Sequence, residues 1–259
     1  MLVATLILIM ILATIAVAAL VLAPRIAEGR IIYDVSPDAP KPFGYGMAWL
    51  AIRTRDSARV LEALALREGE PANWNTGLGT VYSTEIGPDR LFVSPPVNGW
   101  TFVVGLALPQ PLGHAFADKA TPLLVDLGGT FIEVQYFAAC PAVDYFAWAR
   151  VIDGKLVRAL AVSDEGLLWN KGKATKEEKA LGLKVIEPRG KGRRADSDGV
   201  VLPSEQDVMR LAAKWSLDPT RIDAPHGGDG RVGAGVGAGL GVIGLAPIVW
   251  RPERLRRTG

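Results

Sequence analysis

The side chains that could perform chemistry are few and lie far apart in the sequence. The chain has two histidines, His114 and His226, and one cysteine, Cys140. His114 sits in a proline-rich stretch and could act as a general base for Ser94 or Cys140 if the fold brought them together. The nucleophile-elbow pattern G-x-S-x-G does not occur in the chain. A hydrolase built around His114 is therefore an alternative that no motif supports.

Three carboxylates, Glu133, Asp144 and Asp153, fall in the strand-rich middle of the chain. Acids in such a region are usually solvated, so we expect no acid–base pair from them. Cys140 precedes Pro141 in an apolar setting and is expected to behave as a small hydrophobic residue. A single cysteine allows no disulfide within the chain, and with two histidines it excludes a Cys/His zinc cluster in the monomer. We predict no catalytic, cofactor-binding or metal-binding residue, and no cofactor.

A glycine-rich stretch near the carboxyl end matches the dinucleotide-binding pattern G-x-G-x-x-G at residues 239–244. That motif needs a strand-to-helix turn and an acidic residue about 20 positions later. Only 15 residues follow Gly244, so nucleotide binding is not expected. Residues 232–250 are uncharged and could form a second membrane segment, but six glycines and Pro247 weaken a helix there. A flexible or surface-packed tail is the favoured interpretation.

Basic residues concentrate in one stretch of the chain. Residues 171–194 contain nine Lys or Arg against three Glu, and residues 187–199 are predicted to be a flexible loop. Such a cluster could contact anionic lipid, at roughly 1 kcal/mol per basic residue near the surface, or could be an ordinary solvated loop. The whole chain carries 29 basic and 27 acidic residues, which is too balanced for a typical nucleic-acid-binding protein. We expect no nucleic-acid partner.

Aromatic side chains form the other notable group. Core packing is expected to take most of them. Three of them follow closely in one predicted strand, and they cannot all point inward from a sheet with a single buried face. Some aromatic surface is therefore expected to be exposed, as at a partner interface. The group consists of Trp49, Trp74, Trp100, Tyr136, Phe137 and the three strand residues Tyr145, Phe146 and Trp148.

A long apolar run, residues 2–22, precedes all of these groups. It contains no charged residue, and its 21 residues at ~1.5 Å each would span roughly 31 Å, the thickness of a bilayer's hydrocarbon core. A cleaved signal peptide and a buried core helix are the alternatives. No basic residue precedes the run, and Pro24 follows the best small-residue cleavage site. We predict a retained transmembrane helix.

The middle of the chain is predicted to form an antiparallel sheet. Asp153-Gly154 lies between two β-prone runs, residues 144–151 and 155–162, and is the strongest hairpin signal; Gly154 should have a positive φ. Strands that follow one another through short turns, without crossover helices, favour antiparallel pairing. Asn98-Gly99 is a second predicted turn. The other β-prone runs are residues 47–52, 80–83, 91–94, 100–104 and 131–137.

Three helices are predicted from their caps and apolar stripes. The first begins at Asp56 or Ser57 and extends to about Arg67, the second is a short helix opened by Thr175-x-x-Glu178, and the third is opened by Ser204-x-x-Asp207.

Two segments, LFVSPPVNGW at residues 91–100 and DYFAWAR at residues 144–150, are similar to stretches of a family of uncharacterised bacterial membrane-anchored proteins. The resemblance covers residues 43–222. Neither segment is a named functional motif. The resemblance implies a bacterial source and no activity or site residue.

The predicted fold class is α+β, with an N-terminal transmembrane helix followed by one compact domain that has an antiparallel sheet and a few short helices. The expected parts are a membrane anchor at residues 1–23, a Pro-rich linker at 24–42, the globular domain at 43–222 and a Gly-rich apolar tail with a basic end at 223–259. The globular part is expected to fold without the anchor, because it has capped helices, a hairpin and ample apolar mass.

The predicted function is that of a single-pass membrane-anchored binding or interaction module without catalysis. Its expected partners are the lipid bilayer through residues 2–22 and a protein of unknown identity. Alternatives are a membrane-tethered hydrolase and a structural membrane component whose tail inserts. Arg25 and Arg30 closely follow the apolar run, so the domain is expected on the cytoplasmic side of the cell membrane. A second span in the tail would reverse that orientation.

Overall fold

The computed structural model describes part of the chain. The described residues are Thr5, Ile7, 10–15, Val17, 33–111, 118–164, 166–183, 203–222 and 239–247. The chain divides into two units, Met1–Ile32 and Tyr33–Gly259. His114, His226, the predicted loop at 187–199 and the basic end of the tail lie outside the described residues. Predictions about them therefore stay predictions.

The structure corrects the predicted transmembrane helix. Among the residues described, no helix is long and apolar enough to cross a membrane. The described residues of the apolar run, Thr5, Ile7, 10–15 and Val17, are helical. The physical reason for the error is that hydropathy measures a preference for apolar surroundings and does not set the length of a helix. The predicted membrane location and lipid contact at residues 2–22 stay predictions.

The second unit is a sheet-rich domain with few helices, built on one nine-stranded antiparallel sheet. Its strands lie in the order β2-β9-β3-β4-β1-β5-β6-β7-β8. They are β1 (Ala48–Ile52), β2 (Arg67–Ala72), β3 (Arg90–Val93), β4 (Thr101–Val104), β5 (Glu133–Cys140), β6 (Tyr145–Ile152), β7 (Lys155–Ser163), β8 (Gly166–Lys171) and β9 (Gly241–Leu245).

The sheet is larger than the sequence predicts because three segments that were not predicted as strands, β2, β8 and β9, belong to it. β2 carries charges and Pro71, and its first residue, Arg67, is where the sequence predicts the end of a helix. β9 comes from the Gly-rich stretch that was predicted to be a tail, and it pairs with both β2 and β3. The predicted globular domain, residues 43–222, therefore does not include β9, an interior strand of the sheet. Pairing with two neighbours stabilises a strand whose own β-propensity is low.

Five described helices pack around the sheet. They are α1 (Ser57–Leu64), α2 (Trp74–Tyr82), α3 (Ala120–Gly128), α4 (Lys176–Ala180) and α5 (Glu205–Trp215). α1 is shorter than predicted because Ala65 adopts a left-handed conformation that ends it. The capping boxes predicted for α4 and α5 are both present.

Helix α2 replaces the strand predicted at residues 80–83. The side chain of Asn73 accepts a hydrogen bond from the backbone N–H of Thr76 and caps the helix. Trp74, Leu78 and Val81 then fall on one face and are buried. Val81 and its neighbours favour strands by propensity, but capping and burial of the apolar face outweigh that preference.

Helix α3 was not predicted, because its surroundings are rich in proline. Pro122 lies in its first turn, where a missing N–H costs nothing. Just before the helix, Asp118 accepts hydrogen bonds from the backbone N–H groups of Ala120 and Thr121.

Both faces of the sheet are covered. Trp49, Phe137 and Trp148 lie opposite one another on neighbouring strands and share one face, which α2 and α5 cover. We call it the aromatic face. On the other face, Leu50 and Tyr136 belong to a core cluster that also contains apolar residues of α1 and α3. The central strands are therefore buried on both sides.

The predicted hairpin is confirmed. β6 and β7 pair antiparallel around Asp153-Gly154, and these residues have φ of 48° and 72°. Both values are positive, as a type I′ turn requires. The Asn98-Gly99 turn is also present, with φ of 50° and 86° between the bridged residues Val97 and Trp100.

Two glycines let the chain approach the ring of Phe92 from either side. A Cβ at Gly77 of α2 or at Gly241 of β9 would lie 2.4 Å from atoms of that ring. No side chain fits at such a distance, so glycine is needed where the helix and the last strand meet β3. The glycine-rich composition near the carboxyl end thus has a packing role at Gly241.

Candidate anion-binding site

The groups that the sequence offered for nucleophilic catalysis do not form a site among the described residues. The Ser94 hydroxyl is buried, accepts a hydrogen bond from the backbone N–H of Phe102 at 2.9 Å and donates one to the carbonyl of Pro95 at 2.8 Å. The bond from Phe102 ties the residue that follows β3 to β4. Burial raises the pKa of the Cys140 thiol above its usual value, and the charge of Glu205 adds to this effect. The thiol is therefore protonated at neutral pH, in keeping with an unreactive cysteine.

Ser94 and Cys140 also lie at different levels of the sheet. Ser94 bonds to Phe102, which is in register with Ala51, and Ala51 is in register with Gln135. Cys140 is five residues further along β5, or about 17 Å at ~3.4 Å per residue. One histidine cannot serve both groups. The hydrolase alternative depends on His114, which lies outside the described residues.

The three carboxylates singled out in the sequence have different environments. Asp144 and Asp153 are exposed and occupy turns with positive φ, so they are solvated as expected. Glu133 is buried instead and forms ion pairs with two arginines. The expectation of a solvated carboxylate was therefore wrong for Glu133.

The expected exposure of aromatic surface was also wrong. Every member of the aromatic group is buried. Phe146 and Trp148 lie two residues apart and share the aromatic face, whereas Tyr145 lies on the other face and joins the aliphatic core. All three point inward because both faces of the sheet are covered.

A polar cluster surrounds Glu133, the first residue of β5. Its Oε1 accepts hydrogen bonds from Arg150 Nε at 2.7 Å and from Gln135 Nε2 at 2.8 Å, and Arg150 Nη2 is also 2.7 Å away. Arg53 Nη1 lies 3.6 Å from Oε2. Strand register brings these four residues together: Gln135 lies opposite Arg150, and the backbone N–H of Arg53 donates to the carbonyl of Glu133.

Three arginines in this region each lie against an aromatic ring. The guanidinium carbon of Arg53 is 5.9 Å from the ring centroid of Trp100. The corresponding distances are 5.7 Å from Arg59 to Phe131 and 5.5 Å from Arg150 to Trp215. Each distance is within the range of a cation–π contact, which restricts the position of the guanidinium group. We call Arg53, Arg59 and Arg150 the arginine rim.

The arginine rim lies at one end of the central strands. The carboxyl end of β1, the amino end of β4 and the amino end of β5 meet there, because Ile52 is in register with both Thr101 and Val134. Arg53 directly follows β1, Arg59 lies in α1 and Arg150 approaches from β6. Rigid secondary structure therefore positions all three side chains.

The charges of the rim are only partly compensated. Glu133 is held mainly by Arg150, whose side chain is 22% exposed, while the side chain of Arg53 is 63% exposed. The carboxylate of Glu177 is also near: its pKa is lowered chiefly by its own backbone N–H and further by the charge of Arg150. Arg53 thus presents positive charge to solvent beside a buried ion pair, while the exposed Arg59 lies against Phe131, which packs in the core on the other face of the sheet.

A second buried ion pair is closed to solvent and has a structural role. Glu178 accepts hydrogen bonds from Arg158 Nε at 2.8 Å, Trp148 Nε1 at 2.9 Å and the backbone N–H of Thr175 at 2.7 Å. Both charged side chains are buried. These bonds fix α4 against the sheet. The capping box was predicted from the sequence, but the burial of Glu178 was not.

Sequence reasoning missed the arginine rim, although one signal was present. Glu133, Gln135 and Phe137 alternate along β5, which places two polar residues on the face that also carries the aromatic side chains. A polar pair at period two in an otherwise apolar strand indicates a buried polar cluster that needs partners. The partners Arg53 and Arg150 are distant in sequence and only the register identifies them.

The glycine pattern at residues 239–244 does not have the geometry of a dinucleotide site. Gly241 and Gly244 both lie within β9, not in a turn between a strand and a helix. Over the described part of the chain, no group of three His, Cys, Asp or Glu residues could hold a metal ion. Comparison with known proteins found no family model, no curated protein and no solved structure that matches this chain.

Proposed function

We propose that this protein is a binding module that recognises a negatively charged partner through the arginine rim. The observation that carries the proposal is the state of Arg53. Its guanidinium group is mostly exposed, lies on the ring of Trp100 and approaches Glu133 only to 3.6 Å. It is thus held against the ring, and no described residue is a close hydrogen-bonded partner that neutralises it.

Such an arrangement lowers the cost of binding. A free arginine side chain loses about 2 kcal/mol of rotamer entropy when it is fixed, and a guanidinium group already positioned by a ring loses less. Arginine also forms two parallel hydrogen bonds with a carboxylate or phosphate. Arg53 supplies such a fork on a guanidinium group that the ring of Trp100 positions, so an anion would meet a preorganised group.

The described environments of Ser94 and Cys140 favour binding over hydrolysis. The serine hydroxyl is engaged in two structural hydrogen bonds, and the cysteine is protonated at neutral pH. A nucleophile needs an adjacent base or a lowered pKa, and neither group has one among the described residues. The hydrolase alternative stays a prediction that His114→Ala can test.

The test is affinity capture with the full-length tagged chain, expressed in the cells that naturally contain it. The rim variant is Arg53→Gln/Arg59→Gln. The charge-matched control is Arg67→Gln/Lys171→Gln, which removes two exposed positive charges from the two edge strands. We expect the partner captured by the wild-type chain and the control to be lost from the rim variant and to dissociate as salt rises toward about 0.5 M.

Equal capture by the wild-type chain and the rim variant would refute the proposed site. A catalytic turnover of the captured molecule that disappears in His114→Ala, with stability unchanged, would instead support the hydrolase. Thermal melting of each variant shows whether a loss of capture reflects a loss of folding.

A further inference from the structure

We infer that the group bound at Arg53 is a single carboxylate, carried by an acidic side chain, a chain terminus or a small carboxylic acid, and not a phosphate dianion. The inference names the chemical class of the partner and rests on the proposed function. Its basis is the balance of charge among the side chains that surround Glu133, the buried carboxylate beside Arg53.

Arg53, Glu133 and Arg150 belong to one continuous set of contacts. The carboxylate of Glu133 lies 2.7 Å from Arg150 Nη2 and 3.6 Å from Arg53 Nη1. Glu133 and Arg150 share the aromatic face of the sheet, because Gln135, two residues after Glu133, is in register with Arg150. An anion that binds to the exposed guanidinium group of Arg53 is therefore placed close to the Glu133 carboxylate.

Negative charge matches positive charge in this set of contacts. The pKa of Glu177 is lowered chiefly by a hydrogen bond from its own backbone N–H and further by the charge of Arg150, so a second carboxylate is near. The carboxyl end of α5 is also present, since the carbonyl of Trp215 accepts a hydrogen bond from Gln135 at 3.0 Å. A helix carries partial negative charge at that end. Arg53 can thus pair with one negative charge, and a second charge would meet no uncompensated cation among these groups.

The contact of Arg53 with Trp100 also suits a carboxylate. The guanidinium carbon lies 5.9 Å from the centroid of the ring. Arginine binds a carboxylate through two parallel hydrogen bonds in the plane of its guanidinium group. A carboxylate completes this pairing with its only charge. A phosphate dianion brings a further charge toward Glu133, and two like charges about 4 Å apart in water lower an affinity about fivefold.

The experiment measures competition for binding to the full chain by fluorescence anisotropy at constant ionic strength. The probe is a labelled twelve-residue peptide of alternating Glu and Ser with both ends blocked. The competitors are unlabelled twelve-residue peptides of Gly and Ser that each carry one acidic group: a central Glu, a central phosphoserine or a free C-terminal carboxylate. Acetate represents small carboxylic acids. The pH is about 7.5, where phosphoserine is mainly a dianion.

We expect the two carboxylate peptides to compete about fivefold better than the phosphoserine peptide with the wild-type chain. The strongest competitor among the Glu peptide, the C-terminal peptide and acetate identifies the source of the carboxylate. Glu133→Gln removes the repelling charge. It should strengthen the carboxylate competitors about fivefold and the phosphoserine competitor about 25-fold, because twice the charge doubles the electrostatic energy. The preference for carboxylate should then disappear.

Two further variants allow the same comparison if Glu133→Gln folds poorly, which melting curves show. Glu177→Gln removes the second negative charge from a half-buried position in α4 and should strengthen the phosphoserine competitor more than the Glu competitor. Glu85→Gln is the matched control, because Glu85 is exposed in the turn between α2 and β3. It should change the affinity of neither competitor.

Two results would overturn the inference. One is a phosphoserine peptide that competes better than both carboxylate peptides with the wild-type chain, and the other is an equal gain for both classes in Glu133→Gln. If Arg53→Gln still weakened the probe and every competitor, only the inference about the class of partner would fail. If Arg53→Gln changed neither the probe nor any competitor, the proposed function would fail as well.

Discussion

Replacing Glu133 with glutamine should reduce stability and strengthen anion binding in the same molecule. Glu133 is buried, and its Oε1 receives two contacts from Arg150 at 2.7 Å and one from Gln135 at 2.8 Å. Glutamine has nearly the same shape and keeps an acceptor oxygen, but it removes the negative charge. The variant therefore separates the charge of Glu133 from its volume.

The loss of stability follows from the two contacts with Arg150. A hydrogen bond to a charged group contributes about 1.5–3 kcal/mol and a neutral one about 0.5–1.5 kcal/mol. Two weakened bonds would cost about 2 kcal/mol, and partial solvation of Arg150, which is 22% exposed, reduces the expected loss to about 1–2 kcal/mol. For a chain of this size that corresponds to a fall in Tm of about 3–6 °C.

The gain in binding follows from the distance to Arg53. Removing a negative charge 3.6 Å from the Arg53 guanidinium eliminates an attraction of about 1 kcal/mol in water, which competes with an external anion. We expect the affinity for a twelve-residue acidic peptide of alternating Glu and Ser to rise about fivefold.

Urea unfolding, thermal melting and peptide anisotropy measure the two effects. Asp144→Asn is the control, because Asp144 is exposed in a turn with a φ of 45° that asparagine also tolerates. It should change neither Tm nor affinity. A Glu133→Gln variant that melts within about 1 °C of the wild-type chain would show that the ion pair contributes no net stability. A fall in peptide affinity would show that the arginine rim is not the anion-binding surface.

Two further predictions concern the core. Burial raises the pKa of Tyr136 well above its usual value of 10.0 and raises that of Tyr145 as well, so stability should fall as pH rises above about 10, where the unfolded chain loses these protons and the folded chain keeps them. Replacing both tyrosines with phenylalanine should flatten this pH dependence in urea unfolding measured from pH 8 to 11, and an unchanged slope would contradict the prediction. Gly241→Ala should destabilise the domain by about 1–3 kcal/mol, because the added Cβ would lie 2.4 Å from the Phe92 ring. Gly79→Ala is the control in thermal melting: the space around Gly79 is open, so this variant should be neutral or stabilising.

Local interactions allowed several elements to be predicted from the sequence. The Asp153-Gly154 hairpin and the capping boxes at Thr175 and Ser204 depend on residues within a few positions of one another. Turn geometry and helix capping act over that same range, so a short window of sequence contains the necessary information. The predicted run 91–94 located Ser94 at the end of β3, but Cys140 lies beyond the run predicted at 131–137, and the hydrogen bonds of Ser94 could not be anticipated.

Apolar composition was a less reliable guide. The uncharged run at residues 2–22 predicted a membrane-spanning helix, and no helix described in the structure meets that requirement. The Gly-rich stretch at 232–250 predicted a tail, but Gly241–Leu245 forms a strand inside the sheet. In both cases the composition indicates which surroundings suit a segment, whereas its partner segments decide the backbone conformation.

The amino-acid sequence by itself determined the local elements: the turns with positive φ, the two capping boxes and the β-prone runs that become β5 and β6. Tertiary structure alone decided that Glu133 is buried and that Arg53 and Arg150 contact it. The reason is that these contacts join β1, β5 and β6 through strand register, which depends on the pairing of segments far apart in the chain. A carboxylate in a strand can be solvated or paired, and only the strands beside it decide which.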